Sequence, residues 1–170
     1  MVSKSKTDTV SIGNCGEYFV AAELERNGFT SAVPMSNTKE FDVLAISKRT
    51  HKQVAIQVKT NHTKKRTWTL SQKNEALIKE NVYYVFVSLN GKGEPKYYIL
   101  PSRLVAESIQ KSHADFLAGV TTKSGQKGKD TPLRKFSFEI PRYNPFDLKA
   151  DDYEGNWENL EKNSCDVLKK

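Results

Sequence analysis

Residues 54–60 read Val54-Ala55-Ile56-Gln57-Val58-Lys59-Thr60. Val54, Ile56 and Val58 have the period of a strand, which places the amide of Gln57 and the amine of Lys59 together on its other face. Upstream, Glu40-Phe41-Asp42-Val43-Leu44-Ala45 sets a carboxylate against an apolar stretch. Acids are depleted in strands and costly to bury without a partner. A polar turn, Lys48 to His51, joins the two stretches, so a hairpin brings Asp42 beside Gln57 and Lys59. A carboxylate, an amide oxygen and an ammonium on one spot are the parts of metal-assisted phosphodiester hydrolysis. The carboxylate holds a hard cation such as Mg²⁺, and an amide or backbone carbonyl oxygen adds a neutral ligand. The cation neutralises phosphate and lowers the pKa of a bound water. The lysine stabilises charge on the phosphate or positions the attacking water.

The elements that must hold these groups can be read from periodicity and punctuation. Ser11 to Asn27 reads as a helix stopped by Gly28, with Val20, Ala21 and Leu24 on its apolar stripe. Three strands follow: Thr30 to Ser36, Phe41 to Ser47 and Lys52 to Thr60. The spacing then predicts a helix over Thr69 to Glu80, capped by Ser71, with Ala76, Leu77 and Ile78 on or near its buried side. Asn81 to Leu89 is a strand, Asn90 to Gly93 a turn and Lys96 to Leu100 the next strand. Ser102 to Leu117 is a second long helix, with Pro101 at its start. Thr121 to Arg134 reads as a mobile loop and Phe136 to Ile140 as a late strand. Phe146, Leu148, Trp157 and Leu160 are candidates to pin the tail to the body. The order implies an α/β domain with helices against a mixed sheet, one unit over residues 1–170 with a core at about 11–120 and an extension at 121–170.

The chain has 170 residues, 37% hydrophobic and 28% charged, as expected of a soluble globular protein. Its 27 Lys and Arg against 20 Asp and Glu give a formal net charge of +7. Such a balance favours polyanions, most often nucleic acid. Two distant cysteines, Cys15 and Cys165, are no disulfide framework, and the polar N-terminus lacks an apolar signal core. No run is long enough to span a membrane, and a cytoplasmic location is the expectation.

Asp42, followed after a short hairpin by Gln57-Val58-Lys59, resembles the PD-(D/E)XK nuclease superfamily. The likeness runs from Gly13 to Thr60. Gly13-Asn14-Cys15-Gly16-Glu17, with Ala21-Ala22-Glu23-Leu24 and Gly28-Phe29, is similar to the opening of archaeal Holliday-junction resolvases and related restriction-type nucleases. The resemblance implies a restriction-endonuclease-like mixed β-sheet flanked by helices, with an αβββαβ core and a metal site on the hairpin strands. It implies a metal-dependent DNA endonuclease using Mg²⁺, with Mn²⁺ as a substitute. Asp42 would be the main ligand, Gln57 a second through its amide oxygen, the carbonyl of Val58 a third, and Glu17 a support for the metal. Lys59 would act on the phosphate or the water. DNA is the implied partner, and such enzymes are often homodimers. The sequence departs from the pattern where Phe41 precedes Asp42 in place of proline, and where Gln57 replaces the second acid. A catalytically inactive DNA-binding module on the same fold is therefore the alternative reading. For Glu17 the alternative is a capping box, Asn14-x-x-Glu17.

Lys64, Lys65 and Arg66 follow the motif directly, with Trp68 close behind. Basic and aromatic groups there could track a phosphate backbone and stack on a base; packing of Trp68 in the core is the other reading. Lys123, Lys127, Lys129, Arg134 and Lys135 form a second basic run around glycines, a candidate DNA-contacting loop. The histidines, His51, His62 and His113, are scattered, which argues against a zinc site. No glycine-rich phosphate loop is present, which argues against a nucleotide cofactor.

Overall fold

A computed structural model describes residues 8–34, 41–121 and 125–162. Helix α1 (Thr9–Arg26) leads into β1 (Phe29–Ala32), β2 (Val43–Ser47) and β3 (Gln53–Asn61). Strand β4 (Thr67–Ser71) and a short 3₁₀ turn (Gln72–Ala76) connect β3 to β5 (Val82–Ser88). Strand β6 (Lys96–Pro101), helix α2 (Ser102–Leu117) and β7 (Leu133–Ser137) complete the order. Five strands form one mixed sheet in the order β1-β2-β3-β5-β6. The β3–β5 pair is parallel and the other three pairs are antiparallel. Strands β4 and β7 form a separate antiparallel pair. Among the described residues no helix is long and apolar enough to cross a membrane.

Each face of the five-stranded sheet carries its own apolar layer. Val20 and Leu24 of α1 pack on Val43, Ala45, Val54, Ile56 and Val58, and on Tyr83, Val85 and Val87. Trp157 and Leu160 of the tail join this layer, as the sequence predicts. Burying a Val or Leu side chain of this kind contributes about 1.5–3 kcal/mol. Alternation sends Tyr84 and Phe86 to the opposite face, where Leu104, Val105 and Ile109 of α2 cover them with Trp68, Leu70 and Phe136. Strand β5 is buried at every position, which explains its near-continuous apolar sequence.

Three expectations need correction. Residues 69–80 are not a helix: Trp68 and Leu70 are buried while Thr69 and Ser71 are exposed, the period of a strand. Only the 3₁₀ turn follows, with Ser71 and Asn74 forming its capping box, so no α-helix lies between β3 and β5. Leu77 packs at the edge of the second layer and Ile78 stays exposed. The late strand begins at Leu133, three residues before the expected start, because its partner is β4. The other bounds shift by a few residues at most; positions 35 and 36 of the expected first strand lie outside the described residues. The expected tail contact of Phe146 is absent, its side chain being exposed.

Helix α1 begins at Thr9, capped by Asp8, whose carboxylate accepts from the Val10 amide at 3.0 Å and from the Ser11 hydroxyl at 2.9 Å. It stops at Gly28, which has φ +84°, a conformation that favours glycine. Gly16 is where the helix meets the sheet. A Cβ there would collide with Oγ1 of Thr60 and lie 2.9 Å from its Cβ and Cγ2. Gly16→Ala is therefore expected to lower stability by about 1–3 kcal/mol. Adding Thr60→Ala should restore part of the loss, because it removes the atom struck first. Urea denaturation of the single and double variants checks this; equal stability of Gly16→Ala and the parent would contradict the seating of α1 on β3.

Candidate active site

Strand β2 pairs with β3 only over Gln53 to Ile56. Beyond that point one edge of β3 has no strand beside it, and Asp42 occupies the gap. Its amide donates to the Ile56 carbonyl at 2.9 Å. Its Oδ2 accepts from the Val58 amide at 2.7 Å and from the side-chain amide of Gln57. The carboxylate thus continues the ladder where β2 has ended, with a charge-assisted bond in place of a backbone one. In a strand the amide and carbonyl of one residue point the same way, so the Val58 carbonyl faces the same open edge.

Gln57 and Lys59 alternate with the buried Val58 and so lie on the sheet face opposite α1. Gly16 seats α1 on Thr60, and the next residue, Glu17, reaches the same neighbourhood. Its carboxyl is held above the ordinary glutamate value, first by burial and then by the Asp42 charge, with Lys59 opposing. Burial pushes the Lys59 ammonium below the usual lysine value, while Asp42 and Glu17 pull it back. Three charged groups from α1, β3 and the approach to β2 therefore act on one another. Because the helix is already capped by Asp8, the capping-box reading of Glu17 does not hold.

The proximity of Glu17 has a consequence for stability. Ionisation of Glu17 is disfavoured in the folded chain, so the unfolded chain releases that proton at a lower pH. Stability then falls as pH rises from the ordinary glutamate value through the raised one. Glu17→Gln is expected to raise the melting temperature at neutral pH in EDTA. The gain should vanish below the ordinary glutamate pKa. Thermal melts across pH check this, and a lower melting temperature at pH 7 would contradict it.

The structure adds two residues that sequence reasoning missed. Tyr84 lies opposite Gln57 in the β3–β5 register, and its hydroxyl accepts from Asn74 Nδ2 at 2.8 Å. Burial pushes the phenol up to about 12; the Asn74 bond works against this and the Asp42 charge adds to it. The alternation in strand 81–89 and the Ser71-x-x-Asn74 spacing were the available signals. Of the basic residues, Lys64 and Lys65 are exposed in the loop following β3, whereas Arg66 pairs with Glu139 at 3.3 Å. Trp68 is core: it is buried and its indole donates to the Val87 carbonyl at 2.9 Å. Lys127 and Lys129 are exposed, and Lys123 lies outside the described residues.

The donors around Asp42 are all oxygens, which suits a hard divalent cation. Among the described residues no three His, Cys, Asp or Glu side chains cluster, so a cation held here would draw on Asp42 and Glu17 together with neutral oxygens. The Val58 carbonyl is placed for this. Gln57 turns its NH₂ toward Asp42, and its oxygen becomes a ligand only when the amide turns over.

No family model matches the chain, and no curated protein does. Among solved structures it is similar to Hjc, a Holliday junction resolvase from the archaeal hyperthermophile Archaeoglobus fulgidus. The two share 14% identity at a TM-score of 0.45, covering 81% of this chain and 90% of that one. It is also similar to the bacterial homing endonuclease I-Ssp6803I, with 12% identity and a TM-score of 0.43, covering 57% of this chain and 67% of that one.

Proposed function

We propose that the chain is a metal-dependent DNA endonuclease of the PD-(D/E)XK type. The observation that supports this reading is the Asp42 carboxylate bonded to Val58 and Gln57 at the open edge of β3, close enough to Glu17 for its charge, and that of Lys59, to act on the Glu17 carboxyl. Asp42, the Val58 carbonyl and Glu17 would hold a Mg²⁺ or Mn²⁺ ion, with Gln57 joining after its amide turns. When bound, such an ion neutralises the phosphate and lowers the pKa of a coordinated water. Lys59 donates to a phosphate oxygen or orients the attacking water, and its partly buried position strengthens that interaction. Lys64 and Lys65, in the loop after β3, grip the phosphate backbone, as do Lys127 and Lys129.

The bond between Gln57 and Asp42 favours a second reading, a DNA-binding module without catalysis, because it turns the NH₂ of Gln57, and not its oxygen, toward the carboxylate. Incubation of plasmid and branched DNA with the protein in Mg²⁺, Mn²⁺ or EDTA separates the two. The endonuclease reading expects cutting in either metal and none in EDTA. Retardation of DNA without cutting in any metal would sink it in favour of the module.

A further inference from the structure

A second cluster of cations lies away from Asp42, around a cleft of about 150 Å³ between the C-terminal half of α2, β7 and residues 141–143. Its walls include His113, Thr121, Arg134, Lys135, Arg142 and Tyr143. The cations differ in how they are held. Arg134 is buried and paired with Glu75, and His113 faces Asp130 at 2.8 Å, so both already have carboxylate partners. Lys135 and Arg142 have none among the described residues. They are held instead on the Tyr143 ring, with the Arg142 guanidinium 4.5 Å and the Lys135 ammonium 5.6 Å from its centroid. An aromatic face orients a cation without neutralising it. The Thr121 hydroxyl on the same wall is buried and has no hydrogen-bond partner among the described residues. The cleft therefore brings together two cations that have no carboxylate partner among the described residues, which is the chemistry of an oxyanion site.

We propose that this cleft binds a backbone phosphate of the DNA strand, away from the scissile position. The assignment rests on the DNA reading above and extends it to a second point of grip. The two sites are linked across one sheet face. Arg134 pairs with Glu75, the neighbouring Asn74 donates to Tyr84, and Tyr84 lies beside Gln57.

The test measures affinity for a short labelled duplex in EDTA as a function of salt. The parent, Lys135→Ala/Arg142→Ala and Lys59→Ala are compared, with circular dichroism to show that each is folded. Both mutated cations of the double variant are at least partly exposed; if it nevertheless fails to fold, Lys135→Gln and Arg142→Gln replace it singly. Each lost phosphate contact lowers the slope of log K against log salt by about 0.9. The proposal expects a loss of about one in the double variant, which gives up the single phosphate contact, and a smaller loss in each single variant, with every variant folded. An unchanged slope, or no binding of duplex at low salt, overturns it. Saturation of the cleft by inorganic phosphate with an unchanged slope makes it a free-anion site and overturns it too. Cutting is scored separately in Mg²⁺. Loss of slope in a protein that never cuts removes the endonuclease reading and leaves the cleft standing; cutting with an unchanged slope does the reverse.

Discussion

Lys59→Ala and Asp42→Ala are each expected to reduce Mg²⁺-dependent DNA cleavage by about 10³-fold or more, for different reasons. On the proposed reading Asp42, at the open edge of β3, is the main group that would hold the ion. Its loss also leaves the Val58 amide without its 2.7 Å acceptor, so Asp42→Ala should lose metal binding along with activity. Asp42→Asn keeps an acceptor for that amide and should recover stability without recovering cleavage. Lys59→Ala leaves the oxygen donors in place, so it should still bind Mn²⁺ while failing to cut. Lys59→Arg is not a conservative rescue, because a planar guanidinium cannot occupy the space of a compact ammonium. Kinetics of plasmid nicking beside a metal titration separate the two roles. Cleavage by Lys59→Ala within a few-fold of the parent would remove the lysine from the mechanism.

Gln57→Glu should tighten the metal and loosen the apo protein. A third carboxylate beside Asp42 and Glu17 adds ligand charge, and affinity for Mg²⁺ is expected to rise at least about tenfold. Without metal, the new acid faces Asp42 in place of an amide that donated to it. Like charges at that distance disfavour ionisation. The melting temperature in EDTA at neutral pH should fall by roughly 2–4 °C for each kcal/mol of this repulsion, and Mg²⁺ should restore it. Because the added acid has a raised pKa in the folded state, the deficit grows as pH rises through the carboxylate range and disappears below it. Calorimetric titration and thermal melts with and without Mg²⁺ provide both readings. Unchanged metal affinity would place the ion away from Gln57.

The parts of this site that were legible in the sequence are the local ones. The alternation around Gln57 and Lys59 reports a strand face, and the Lys48–His51 turn reports the hairpin that returns the chain to Asp42. Both depend on neighbours within a few residues, and the observed β2–β3 register agrees with them. The segment after Thr67 was misread because its structure is decided by Leu133 to Ser137, more than sixty positions away. Ser71 as a cap, followed by Ala76, Leu77 and Ile78, reads as a helix until that partner is known. Tyr84 was hidden for a similar reason. In an all-buried strand nothing local separates a core tyrosine from one whose hydroxyl lies near a carboxylate. The orientation of Gln57 was also out of reach, since composition shows that an amide is present and not which end it turns to Asp42. Arg66 reads as a free cation in the sequence, whereas the fold brings Glu139 to it.

Paramagnetic broadening by Mn²⁺ addresses the proposed metal centre, independently of any substrate. In an amide nitrogen–proton spectrum at sub-stoichiometric Mn²⁺, the backbone signal of Val58 and the side-chain NH₂ of Gln57 should broaden first, followed by the amides of Glu17 and Lys59. Asp42→Ala should abolish the effect. Broadening centred elsewhere, or spread evenly over the surface carboxylates, would mean that these side chains share no divalent ion.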